Sequence, residues 1–325
     1  MFLLALSEKL LLLVLPLVRW VVVVVPVWLL AILFLPPAVV LTLRELFFQE
    51  KSAKRLRCLN DVLPVKHEKT RVWRLFYSRF LLRLNQFSRF WVGQFNLPKW
   101  QARIECDGID RLQNMVHQGR SVILATVHYG CTTDAVCILR MKGFRLAGMV
   151  YDHQVSNVER AIYQSASESV GLENVPFSIR TVDLWEARDF LRDPGSMLAI
   201  TIDRANRKRD ETCELWGRDV RVAAGVTKFA EIANAVILPS LFTSVGFMRW
   251  RLWFGEPISF ENNLDSGETY QKIFSQLSPQ IMRCPEQMQP DLIAAMLPRD
   301  TFKRPKTKPL TRKNLVSEKV GSPER

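Results

Sequence analysis

The stretch "SVILATVHYGCTTDAVCILRMKG", residues 121–143, decides the fold. Val122–Val127 is an unbroken run of apolar or small residues rich in β-branched types, and it predicts a buried strand. Gly130 permits a tight bend after His128. Thr132 or Thr133 can cap a helix that carries Asp134 in its first turn and has Gly143 beyond its end. His128 therefore sits just past the C-terminal end of a buried strand, where open α/β sheets place their ligands.

The same alternation continues on both sides. "ARIECDG" before this stretch and "RLAGMVY" after it are strand candidates, as are "SMLAITID", "VILPSLFT" and "RWRLWFG". Helical patterns fall between them in "GIDRLQNMVHQG", "VERAIYQSASESVG", "VDLWEARDFLRDPG" and "GVTKFAEIANA". Strands separated by helices predict an α/β sandwich with a largely parallel or mixed central sheet. The sequence has no G-x-G-x-x-G, no P-loop and no G-x-S-x-G elbow, so nucleotide-binding and serine-hydrolase versions of that architecture lose support.

The N-terminus has a different character. From Trp20 to Leu43 there is no charged residue. One helix of that length reaches about 36 Å, against a hydrocarbon core of about 30 Å. Pro36-Pro37 is expected to break it. A single span is the first expectation and a re-entrant or monotopic anchor the second. Lys9 and Arg19 precede the stretch, whereas Arg44, Lys51, Lys54, Arg55 and Arg57 follow it, which places the C-terminal side in the cytoplasm. Trp73, Phe76, Phe80, Leu84, Phe87 and Trp91 then form an apolar stripe bordered by arginines. This pattern fits an interfacial helix or a packed core helix, and one helix can be both.

The expected organisation is an anchor at 1–45, basic and aromatic interfacial helices at 46–100, the main domain at 101–302 and a basic disordered tail at 303–325. The net charge of +13 is uneven: the tail holds eight Lys/Arg against two Glu. Such patches suit anionic lipid or an acidic partner protein, or a tail that is simply solvated. No nucleic-acid partner is expected, because the chain contains no such module and the anchor argues against one. The six cysteines include no C-x-x-C pair and no accompanying histidine cluster. No metal site or disulfide framework is expected, and a reducing setting is favoured.

The turn at His128 has three readings. A histidine whose tautomer is fixed by a carboxylate is a good general base near pH 7, so His128 with Asp134 could activate a hydroxyl or amine. Alternatively His128 is satisfied by backbone, and Asp134 only favours a helix N-terminus. In the third reading, Cys131 forms a Cys–His nucleophile or is a small buried thiol.

Beyond the turn, the chain resembles the late, lauroyl/myristoyl acyltransferases of lipid A biosynthesis, in the lysophospholipid acyltransferase-like superfamily. The resemblance rests on an ordered series: "CDGIDRLQNMVHQGRSVILATVHYG", "MVYDHQVSNVERAIYQ", "GSMLAITIDRANRKRD", "ELWGRDVRVAAGVTKFAEIANAVILPSLF", "WRLWFGEPI" and "CPEQ". It implies a glycerolipid acyltransferase-like fold at the bacterial inner membrane, with the main domain in the cytoplasm. It also implies transfer of a fatty acyl chain from acyl carrier protein or acyl-CoA to a hydroxyl or amine of a membrane lipid or glycolipid. Membrane phospholipid is a further implied partner, and no cofactor is needed.

By resemblance His128 is the base, and the family's acid position falls on Thr133. The carboxylate comes one residue later, at Asp134. Asp203 and the basic Arg207, Lys208 and Arg209 match a substrate-binding segment whose cations suit phosphate. The chain departs from the family at Asp152-His153, where an arginine is usual, and after Gln287, where aromatic and basic residues are missing. The alternative is a catalytically degenerate member that binds lipid or a partner.

Overall fold

The computed structural model of the chain describes residues 24–64, 70–88, 98–150, 166–181, 183–203, 210–223, 225–259 and 265–298, with 17, 20–21 and 163–164. The expected basic tail, the Arg207–Arg209 cluster, Asp152-His153 and Trp91 lie outside them, as do residues 158–162 and 165 of the helix expected from "VERAIYQSASESVG".

Seven strands form the central sheet: β1 Ile104–Asp107, β2 Val122–Thr126, β3 Leu146–Val150, β4 Ser178–Arg180, β5 Met197–Thr201, β8 Val236–Gly246 and β9 Arg249–Phe254. Their spatial order is β1-β9-β8-β2-β5-β3-β4. Every neighbouring pair is parallel except β8 and β9, which are antiparallel, so the sheet is mixed as the alternation implied. The remaining strands, β6 Asp210–Leu215 and β7 Arg218–Ala223, form a separate antiparallel hairpin. Trp216 and Gly217 both have positive φ, as a two-residue hairpin turn requires. This hairpin is not evident in the strand-and-helix alternation. β4 is also missed, since three residues are too few to show periodicity.

Helices α1 Val27–Leu43, α2 Glu50–Arg57 and α3 Val72–Asn85 precede the sheet. Helices α4 Ile109–His117, α5 Thr132–Met141, α6 Leu184–Arg192, α7 Gly225–Ala233 and α8 Ser266–Ile281 follow or connect its strands. The start of α8 has a local cause, because the Asp265 side chain accepts the Glu268 N–H at 2.7 Å. β2 is central, and Val122, Ile123, Leu124 and Ala125 are fully buried. Each large side chain among them contributes about 1.5–3 kcal/mol of burial. Two apolar clusters cover the two faces of the sheet, one around Ile123 and Ala125, the other around Val122 and Leu124. That division follows from the period of two along a strand.

The anchor differs from expectation at both ends. Pro26 caps α1, and Pro36-Pro37 lies inside one continuous helix. Proline's fixed φ is itself helical; what it withholds is a backbone N–H. Packing along α3 compensates, with Leu30 and Leu82 in one cluster and the Phe34 and Phe87 rings stacked at 4.8 Å. A π-helical turn, Arg44–Phe48, extends α1. The resulting 22 residues, Val27–Phe48, are long and apolar enough to cross a membrane. Trp28, Ile32, Leu33 and Val40 are exposed on the side away from the protein. The stripe on α3 divides along its length. Trp73 is exposed, Phe76, Phe80 and Phe87 are half-buried, and Leu84 is buried.

Candidate active site

The register between β2 and β5 builds the centre of the site. Val122 lies opposite Met197 and Thr126 opposite Thr201. Two residues further on, the same register sets His128 beside Asp203. Parallel strands are about 4.8 Å apart, so side chains leaving both C-terminal ends can meet. They do: Asp203 Oδ1 lies 2.8 Å from His128 Nδ1. The His128 backbone N–H also donates to both oxygens of that carboxylate, at 3.0 and 3.1 Å. The Asp203 side chain is fully buried, and that of His128 is 17% exposed. An ionised carboxylate only accepts, so this geometry selects the Nδ1–H tautomer and puts the ring lone pair on Nε2.

The turn after His128 is held from behind. Gly130 has φ +54, and a Cβ there would collide with the Phe242 carbonyl. Gly130 N–H donates to Gln287 O at 3.0 Å, and Cys131 N–H donates to Phe242 O at 3.0 Å. Gln289 N–H donates to His128 O at 2.9 Å, and Gln289 Nε2 donates to Gly130 O at 3.0 Å. Tyr129 Oη donates to Cys284 O at 2.9 Å. The "CPEQ" segment therefore acts as a brace for the histidine turn. Its Gln287 is fixed in turn, donating to Ser244 O at 2.6 Å and accepting from Ser244 N–H at 3.0 Å.

Asp134 is buried in the first turn of α5 and accepts a hydrogen bond from Trp250 Nε1 at 3.3 Å. Asp134 and Thr133 border the same cavity as His128. Cys131 is buried beside them. Burial pushes its thiol well above the ordinary range, and the neighbouring Asp134 pushes it further in the same direction. Such a thiol stays protonated, which argues against the Cys–His reading.

The cavity holds about 700 Å³. One wall is His128 and the turn to Asp134. A second is apolar, with Met149, Phe177, Ile200 and Phe229. A third comes from α3 and carries Arg79, Arg83 and Gln86. Arg140, at the end of α5, is buried among the carbonyls of Leu146, Pro176, Leu172 and Val175 and the Ser167 hydroxyl. Burial brings its pKa down to about 10, so it remains charged and pins the 167–176 segment near Phe177. Among the described residues, no group of three His, Cys, Asp or Glu is placed to hold a metal ion.

A family model for bacterial lipid A biosynthesis acyltransferases matches residues 8–289. The chain belongs to that family. This lipid A acyltransferase family member is thus an acyltransferase of a bacterial, membrane-associated group. No curated protein matches the chain. Of the residues singled out in the sequence, the structure joins His128 to Asp203 and sets Asp134 and Thr133 along the same cavity. Sequence reasoning placed Asp203 with substrate and did not pair it with His128. A signal was available: "VILATVH" and "MLAITID" are runs of equal length with Thr at the fifth position and a polar residue at the seventh. Arg79, Arg83 and Glu45 were also missed, because their meeting depends on how α1 packs against α3.

Proposed function

We propose that His128 is the general base of an acyl transfer at the cytoplasmic face of the inner membrane. The observation that carries this reading is the 2.8 Å contact of His128 Nδ1 with the buried Asp203 carboxylate, with His128 lining a partly apolar cavity. Asp203 orients the ring and stabilises the imidazolium. Nε2 takes the proton from a hydroxyl or amine of a lipid A precursor or another membrane glycolipid. The freed oxygen or nitrogen attacks the thioester carbonyl of a fatty acyl group on acyl carrier protein. The tetrahedral intermediate collapses, the carrier thiolate leaves, and the imidazolium returns the proton to it.

The N-terminal turn of α5 borders the cavity, and backbone N–H groups of this kind suit a developing oxyanion. The apolar wall suits the acyl chain. Asp134 acts by positioning, holding the Trp250 indole and the start of α5. The basic residues after α1 favour anionic lipid headgroups and the acidic carrier. Arg207, Lys208 and Arg209 are offered as further contacts for substrate phosphate.

The test uses membranes containing full-length protein, acyl carrier protein loaded with radiolabelled fatty acid, and a lipid A precursor. His128→Ala should lower turnover by about 10²–10⁴-fold. Undiminished turnover would end the proposal.

A further inference from the structure

Arg79 and Arg83 stand one helical turn apart on α3, and both border the cavity. Glu45, from the turn that extends α1, lies between them. Arg79 contacts it through Nε at 3.3 Å and more closely through Nη2. Arg83 contacts it through Nε at 3.0 Å and Nη2 at 2.8 Å. Arg83 Nη1 also donates to Gln86 Oε1 at 3.0 Å, which fixes the guanidinium plane. The side chain of Glu45 is 2% exposed and that of Arg79 is 4% exposed.

Two guanidinium groups thus share one carboxylate, and among the described residues the cluster keeps one positive charge in excess. Arg79 Nη1 is buried without a hydrogen-bond acceptor among the described residues. Burial and the neighbouring Arg83 both disfavour the charged form of Arg79, and Glu45 opposes them. A buried, charged donor lacking an acceptor is costly. On a cavity wall, that cost is relieved when an anionic ligand enters. Among the described residues, the other charged side chains bordering the cavity are Lys228, Asp134 and Asp291, and Asp291 is bound to Arg55 at 2.5 Å.

We propose that Arg79 and Arg83 form a subsite for a phosphoryl oxyanion of the substrate, presented on the α3 wall of the cavity. Paired guanidinium groups match the several oxygens of a phosphate better than a single carboxylate. The inference rests on the cavity being the acyl-transfer site. The phosphoryl group comes from either a phosphorylated lipid acceptor or the phosphopantetheine arm of the donor.

The experiment measures binding to the detergent-solubilised full chain by calorimetry, with dodecyl phosphate and 4′-phosphopantetheine as separate probes. Arg83→Gln is the main variant, because Arg79 still neutralises Glu45. Its Kd should rise by about tenfold for one probe, and that probe identifies the source. Arg83→Lys, which keeps the charge and loses the planar fork, should show a smaller rise for the same probe and serves if the glutamine variant does not fold. Kd values unchanged for both probes in a folded variant, or no binding by wild type, would overturn the subsite. His128→Ala should bind the responding probe as wild type does. If that variant still transfers acyl groups while Arg83 still governs binding, the subsite stands and the role of His128 falls.

Discussion

Replacing Asp203 by asparagine keeps the volume and removes the charge. The wild-type carboxylate makes three contacts with His128, at 2.8, 3.0 and 3.1 Å, and its side chain is fully buried. An asparagine can accept the backbone N–H through its oxygen. Its NH2 then faces Nδ1, which favours the wrong tautomer and leaves Nε2 protonated. Even with the oxygen facing Nδ1, the attraction between carboxylate and imidazolium is gone. With charge centres about 4 Å apart and an effective dielectric of about 20, that attraction is about 4 kcal/mol. Turnover should fall by about 10³-fold. The loss should appear in kcat with little change in KM, because it arises when the imidazolium forms. Single-turnover transfer from loaded carrier protein measures it, with a melting curve to confirm the fold. Asp134→Asn should cost less, since that carboxylate holds Trp250 rather than His128 Nδ1. A folded Asp203→Asn enzyme with wild-type turnover, or a ranking in which only Asp134→Asn is severe, would refute the reasoning.

Other consequences can be checked separately. Cys131→Ser should keep most of its activity, because burial holds the thiol protonated; loss comparable to His128→Ala would restore a cysteine nucleophile. Gly130→Ala should destabilise the protein by about 2–3 kcal/mol in thermal or denaturant unfolding, since the left-handed backbone is strained for alanine and the added Cβ meets the Phe242 carbonyl. An unchanged melting temperature would show that the turn can relax. Ile32→Asp with Leu33→Asp places two charges on the exposed face of α1, each costing about 3 kcal/mol in a bilayer. The chain should shift from the membrane fraction to the soluble one, and full retention would show that other segments suffice for anchoring.

The sequence by itself determined the alternation of strand and helix, the apolar N-terminal segment and the position of His128 at a strand end. These are local properties. A run such as Val122–Val127 has to be buried wherever it lies, and Gly130 has to turn. The tertiary structure decided which carboxylate His128 meets. Asp134 is six residues away in the chain and Asp203 is 75 residues away, yet the β2–β5 register makes Asp203 the partner of Nδ1. "CPEQ" stood out in the sequence without a role, and only the folded chain makes it the brace of the histidine turn. The passage of α1 through Pro36-Pro37 and the gathering of Glu45, Arg79 and Arg83 at the cavity have the same origin. Each depends on α1 lying along α3, and side-chain periodicity within one segment carries no information about which other segment will cover it.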